Sequence, residues 1–416
     1  MLQNKTKAYS LLGISLLVLI FYYIYENGVN LSENGNQNSD NLTLISKEFS
    51  SVLEDQFFFK KVTNGVFKNQ INKEKKQEII RTETPMNWPW RGITIVTHDA
   101  RKRIDSLSIS ELKNKGVNFV RLRLSIRKYA KISGKNIESS KIEMFDRSDK
   151  IIKWCEKNQI AVLISHSDFP LDPDLNIKQM DREFWGNQDL LDEAIFFISD
   201  VVQYFDHWKN VVGYEFFAEP AEKKMIKGAK QPDIWRSYFD RIVKEVRVHS
   251  SKFLTYTPGP WGYPSNYNNM GEPIGDDRII YNFHFYRPHK FTHQGSKKNV
   301  NNYTYPGIIN SKYWDRDEIL KEIKIPVDWC KNNGKLLFAG EFSSNARSEL
   351  VGRNEYLEDV LGAFEEYEIS YAYFSFNGWI GWDYNYVSQD NKIMKSKSKT
   401  KTLELLEKYW SLNAKK

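Results

Sequence analysis

From Trp88 onward, short runs rich in β-branched and aromatic residues alternate with longer stretches whose apolar residues recur at helical spacing. Parallel βα units read this way. Eight strand-like runs can be set out: Gly92 to Thr97, Phe119 to Ser125, Ile160 to Ser165, Val211 to Phe217, Phe253 to Thr257, Ile279 to His284, Lys335 to Gly340 and Ser370 to Phe376. Between the third and fourth, Leu191, Ile195, Ile198, Val202 and Phe205 recur at three- and four-residue intervals, the face of one helix. Ser108 followed by Glu111 reads as a capping box opening an earlier helix. Strand then helix, eight times over, predicts an α/β fold of the closed (β/α)8 TIM-barrel kind. In such barrels the chemistry sits at the C-terminal ends of the strands.

Upstream the pattern changes. Lys5 and Lys7 precede an uncharged, largely apolar run from Tyr9 to Tyr25, long enough for a signal sequence or a short membrane span. No small-x-small cleavage motif follows, and Phe21, Tyr22, Tyr23 and Tyr25 end the run with rings suited to a membrane interface. The expectation is a cytoplasmic stub and uncleaved signal-anchor over residues 1–25, with the rest outside the cytoplasm; cleavage would make the protein secreted. Residues 26–46, rich in Asn, Ser, Gly and Asp, read as a flexible linker. Residues 47–87 form a lysine-rich amphipathic extension of unassigned packing, and 88–416 make up the barrel.

Composition narrows the function classes. The 416-residue chain is 41% hydrophobic with 25 Phe, 23 Tyr and 12 Trp, which excludes a disordered protein and supplies a large core. Such rings either fill the interior or stack on sugar faces. The net charge is +7, but basic and acidic residues are interspersed, without the basic stripe that nucleic-acid binding requires. Lys395, Lys397, Lys399 and Lys401 alternate with Ser and Thr and read as a solvated loop before the last helix. Cys155 and Cys330 each lie in a helical segment, so they read as small buried hydrophobes rather than a disulfide framework or metal cluster. Nothing calls for a metal or cofactor, and a monomer is expected.

The fourth run continues into Phe217-Ala218-Glu219-Pro220, and the seventh into Gly340-Glu341-Phe342. Both place a carboxylic acid at a strand's C-terminal end, and those two ends can face one another across a barrel mouth. Two carboxyl groups about 5 to 5.5 Å apart serve double-displacement glycoside hydrolysis, one as acid and then base, the other as nucleophile. The sixth run ends in His284 and Tyr286, two apart and so on one side of a strand. Arg121 and Arg123 share a face of the second. An arginine pointing into a barrel needs a carboxylate; Glu341 is the natural one and would be kept ionised by it. Trp261, after Pro258-Gly259-Pro260, sits in a loop at the same face.

On these residues the chain from Trp88 to its C-terminus resembles glycoside hydrolase family 5, the cellulase family of the clan of 4/7 retaining barrels. The most specific stretch runs from Phe184-Trp185 through a long helix to Val211-Val212-Gly213-Tyr214-Glu215 and Glu219-Pro220, then to Ile242 and Val246-Arg247. The resemblance implies Glu219 as acid/base, Glu341 as nucleophile, and Arg121, His166, His284 and Tyr286 as their support. It implies a β-linked glucan, mannan or similar polysaccharide or oligosaccharide as substrate. Three positions depart from the pattern: Ala218 stands where the family has Asn, Phe374 where it has a Trp platform, with Trp379 and Trp382 following, and Ser167 where it often has a second histidine. These departures keep open a catalytically silent, membrane-held carbohydrate-binding barrel, and a transglycosylase that passes the glycosyl group to a sugar.

Overall fold

In a computed structural model the described residues are 83–99, 104–166, 184–221, 233–295, 302–389 and 392–415. The expectations for an anchor at 9–25, a linker at 26–46 and most of the extension at 47–87 fall outside them. Among the described residues no helix is long and apolar enough to cross a membrane.

Eight strands close on themselves: β1 (Arg91–Val96), β2 (Phe119–Leu124), β3 (Ala161–His166), β4 (Val211–Phe216), β5 (Phe253–Tyr256), β6 (Ile279–Phe285), β7 (Leu336–Phe342) and β8 (Ser370–Phe376). Each pairs in parallel with the next, and β8 pairs with β1. Among the described residues the α-helices are α1 (Ser106–Asn114), α2 (Ile126–Ser133), α3 (Ile137–Lys157), α4 (Gln188–Phe205), α5 (Asp233–His249), α6 (His289–Thr292), α7 (Arg316–Asn332), α8 (Arg353–Glu366) and α9 (Lys401–Trp410). The first cap differs from the expected capping box. Asp105 precedes α1 and accepts from the Ser108 amide at 2.8 Å and its hydroxyl at 2.7 Å, so Ser108 lies inside the first turn.

Side-chain alternation sorts the strands into an inner and an outer layer. Trp90, Phe119, Leu163, Phe253, Ile280 and Phe338 plug the N-terminal end of the barrel, with Trp90 stacked on Phe119 at 4.1 Å. Val120, Leu122 and Leu124 of β2 face outward with the α4 residues Leu191, Ile198, Val202 and Phe205, all buried. Burying each of these side chains stabilises by about 1.5–3 kcal/mol, so the two layers hold the open end of the barrel as a fixed frame.

The register shifts at several points around the barrel, and two of these shifts fall on strands that carry the carboxylates. Between β3 and β4, Val162 pairs with Val211 but Leu163 with Gly213, so β4 carries an additional residue. Between β6 and β7, Phe283 pairs with Ala339 but His284 with Glu341, and Gly340 is the additional residue. Counted strictly by twos from the inward Phe338, Glu341 would face outward; the bulge turns it into the barrel. A Cβ on Gly340 would sit 2.5 Å from Asn282 Oδ1, so glycine is what lets β6 and β7 approach here.

Cys155 and Cys330 are free thiols, buried as expected. The lysine run is more ordered than a loop: Lys392–Lys395 pairs with Tyr386–Gln389 as a hairpin, Lys399 bridges to Glu407, and Lys401 begins α9.

Candidate active site

At the C-terminal end of the strands lies a cleft of about 660 Å³ whose walls include Glu219, Glu341, Arg123, His284 and Tyr286. Glu341 is 4% exposed. Its Oε1 accepts from Arg121 Nη1 at 2.8 Å and Arg123 Nη1 at 2.5 Å, and its Oε2 from the Tyr286 hydroxyl at 3.1 Å. Burial pushes the Glu341 carboxyl up, but the charges of Arg123, His284 and Arg121 outweigh it and hold the group well below the usual carboxylate range. Tyr286 is shifted the other way. Burial first, then the neighbouring Glu341 and Glu219, raise its phenol well above the ordinary value, so it stays a donor.

Arg121 serves a second carboxylate that sequence reasoning missed. Its Nε donates to Glu215 Oε2 at 2.6 Å, and both side chains are 0% exposed. Glu215 also accepts from Ser165 Oγ at 2.5 Å and Asn282 Nδ2 at 3.0 Å, while Asn282 Oδ1 takes the Gly340 amide at 2.7 Å. The chain of contacts therefore runs from β3 and β4 through β2 and β6 to the bulge that aims Glu341. A guanidinium carries five donors, and one carboxylate could not satisfy it; that was the signal for Glu215.

Glu219 is reached through a turn in which Phe217 takes φ 55°, a left-handed conformation uncommon for a bulky residue. Phe184 and Trp235 hold it there, their rings 5.1 and 5.8 Å from that of Phe217. The Glu219 side chain is 38% exposed on the cleft side, with Oε1 2.8 Å from His284 Nδ1. One oxygen of Glu219, one of Glu341 and a nitrogen of His284 all lie within 4.8 Å of one another. Three such donors have the spacing of a metal site, but the two guanidiniums bonded to Glu341 oppose a cation there.

Aromatic rings surround the carboxylates. Trp261, Trp379, Trp382 and Phe374 all line the cleft, as does Tyr263. Phe374 lies under Arg123, whose Cζ is 5.4 Å from the ring centre. Trp382 meets Tyr286 edge-on at 5.6 Å, and Trp379 stands 6.0 Å beyond it, 49% exposed. Also unforeseen are His289 and His293, stacked at 3.6 Å on the wall. Their four-residue spacing just after the sixth strand was the signal.

Two expected residues stay outside this group. His166 is the last residue of β3, where Ala161, Leu163 and Ser165 point inward, so alternation turns it outward against Phe197 of α4, ring centres 4.8 Å apart. Ser165 occupies the inward place instead. Ala218 is 1% exposed, and its methyl is not among the groups lining the cleft. Ser167 lies outside the described residues.

The family model described as Cellulase (glycosyl hydrolase family 5) matches residues 79–379, most of the chain. The chain belongs to glycosyl hydrolase family 5. As a family 5 member it is a glycosidase, hydrolysing O-glycosyl compounds. It is 22% identical over 290 residues to endoglucanase C of Acetivibrio thermocellus, covering 62% of this chain and 80% of that one. Among solved structures, a hyperthermophilic endo-beta-1,4-glucanase in complex with substrate superposes with TM-score 0.59 at 20% identity, over 76% of this chain and 97% of that one. Thermotoga maritima Cel5A, solved with mannotriose, gives TM-score 0.59 at 18% identity, over 77% and 98% of the two chains. At such identities the structures speak for the fold, and the family assignment stands on the sequence match.

Proposed function

We propose that this family 5 glycosidase cleaves a β-linked glucan or mannan, within the chain, by double displacement with retention. The observation that carries the proposal is the carboxylate pair. Oxygens of Glu219 and Glu341 lie within 4.8 Å, close to the roughly 5–5.5 Å spacing of retaining enzymes and short of the 6.5–9.5 Å that leaves room for a water in inverting ones. Glu341, held ionised by two arginines, attacks the anomeric carbon; Glu219, beside His284, gives its proton to the leaving oxygen. A glycosyl ester forms as the glycosidic bond breaks. Glu219 then removes a proton from water, which attacks the same carbon and releases Glu341. The hydrogen bond from Tyr286 keeps the Oε2 lone pairs oriented while the carboxylate loses its charge to the ester.

Supporting the substrate class are the rings lining an open cleft, suited to stacking on successive sugars, and similarity to an endoglucanase and to a barrel solved with a mannotriose. On this reading the enzyme works outside the cytoplasm, tethered by residues 9–25, on the strength of Lys5 and Lys7 before an uncharged run. Reducing-sugar release over a panel of β-glucans, mannans and xylans, with Glu341→Gln alongside, tests the activity. Release by the wild type alone supports the reading. Release by both proteins contradicts the role of Glu341, and sugar binding without release points to the silent barrel.

A further inference from the structure

The His289–His293 pair has no part in the double displacement, yet it stands on the cleft wall beside the residue that orients the nucleophile. Hydrogen-bond accounting fixes what His293 presents. Thr292 Oγ1 donates to the Tyr286 carbonyl at 2.6 Å and lies 2.9 Å from His293 Nδ1. A hydroxyl has one proton, and this one is committed to the carbonyl, so the Thr292 oxygen can only accept from the ring. His293 Nδ1 therefore carries the hydrogen, and a neutral ring then has its lone pair on Nε2. Neutrality follows from the surroundings: burial, then the neighbouring His289, push His293 down to about 3. His289 is lowered as well, by burial and Lys290. The ring meets Trp382 edge-on at 4.9 Å and Tyr286 at 5.4 Å, and Tyr286 in turn holds Glu341.

We propose that His293 is a specificity-determining residue, its Nε2 accepting a hydrogen bond from a hydroxyl of the sugar that rests against Trp382. The assignment rests on the reading of the cleft as a β-glycan site. It makes the wall around Tyr286 selective for a donor on the substrate, because a sugar with an acceptor or a bulky apolar substituent there would face a lone pair. Acting as a fixed acceptor, His293 takes no proton during turnover, and its contribution stays constant from about pH 5 to pH 8.

Cellohexaose and mannohexaose are the probes, with three variants. His293→Asn keeps an amide hydrogen within reach of Thr292 but ends short of Nε2; His293→Gln carries an acceptor out to the Nε2 position but loses the Thr292 contact; His293→Phe has neither. On whichever probe the wild type cleaves, Asn and Phe should lower kcat/KM about fivefold, at all pH values in that range, with Gln within about twofold of wild type. Three outcomes overturn the proposal: Asn matching wild type while Gln falls, which makes the histidine a tie to Thr292 only; Gln no better than Phe; or a loss confined to one limb of the pH profile. A wild type inert on both probes contradicts the β-glycan reading itself, and the assignment falls with it.

Discussion

Arg121 and Arg123 touch the same oxygen of Glu341, yet their removal should have different consequences. Arg123 sits on the cleft side, 17% exposed, and Glu341 keeps Arg121 and Tyr286 without it. Arg121 is 0% exposed and neutralises Glu215, also 0% exposed. Deleting one partner of a buried pair costs about 3–5 kcal/mol, because the other charge is left in a medium that cannot solvate it. Arg121→Met should therefore lower Tm by roughly 10 °C, and Arg123→Met, at about 1 kcal/mol, by only about 2–4 °C. Both should act alike on the chemistry. With the Glu341 carboxyl now well below the usual range, removing one guanidinium should raise it toward the ordinary carboxylate range. The sign follows from linkage: a depressed carboxylate adds stability above its unfolded value and loses it as pH falls through its folded value, so each variant begins to lose it at higher pH. The acid limb of kcat/KM should move up with it. Scanning calorimetry reads the first effect and pH–rate profiles on the cleaved glycan read the second. Equal Tm losses, or acid limbs that stay in place, would refute the division of labour drawn here.

Tyr286→Phe removes only the 3.1 Å hydrogen bond to Glu341 Oε2 and should lower kcat about tenfold while Tm stays within about 2 °C; an unchanged kcat in steady-state assays counts against the orienting role. Gly340→Ala brings a Cβ to within 2.5 Å of Asn282 Oδ1 and should cost about 1–3 kcal/mol together with most of the activity, measured by chemical denaturation and turnover in parallel. A fully active Gly340→Ala protein would show that the bulge does not aim the nucleophile.

How far the sequence could be read depended on what sets each feature. The strands were legible because each is buried on both faces and reads as a short apolar run between helical patterns, and the observed bounds fall within two residues of those expected. Glu219 and Glu341 were legible because a carboxylic acid beside Pro220 or Gly340 at a strand end has few structural uses. Alternation, however, is a local rule, and bulges reset it. Nothing in Phe338-Ala339-Gly340 announces that the chain takes an extra residue opposite β6, which depends on Asn282 reaching the Gly340 amide from 58 positions away. His166 shows the converse: without a bulge, simple alternation holds and turns it outward. Glu215 was hidden by its setting among apolar residues of β4, and His289 and His293 because a four-residue helix leaves little periodicity to read.

In the proposed mechanism Glu341 forms a covalent bond to the sugar while Glu219 manages the proton. The most direct test is to incubate the enzyme with an activated 2-deoxy-2-fluoro β-cellobioside or β-mannobioside, which slows the second step, and to map the adduct by peptide mass spectrometry. One glycosyl group is expected on the peptide containing Glu341, at the Glu341 carboxylate, with β-configured product in the absence of the inhibitor. An adduct on another residue, or an inverted anomer as the first product seen by NMR, would contradict it.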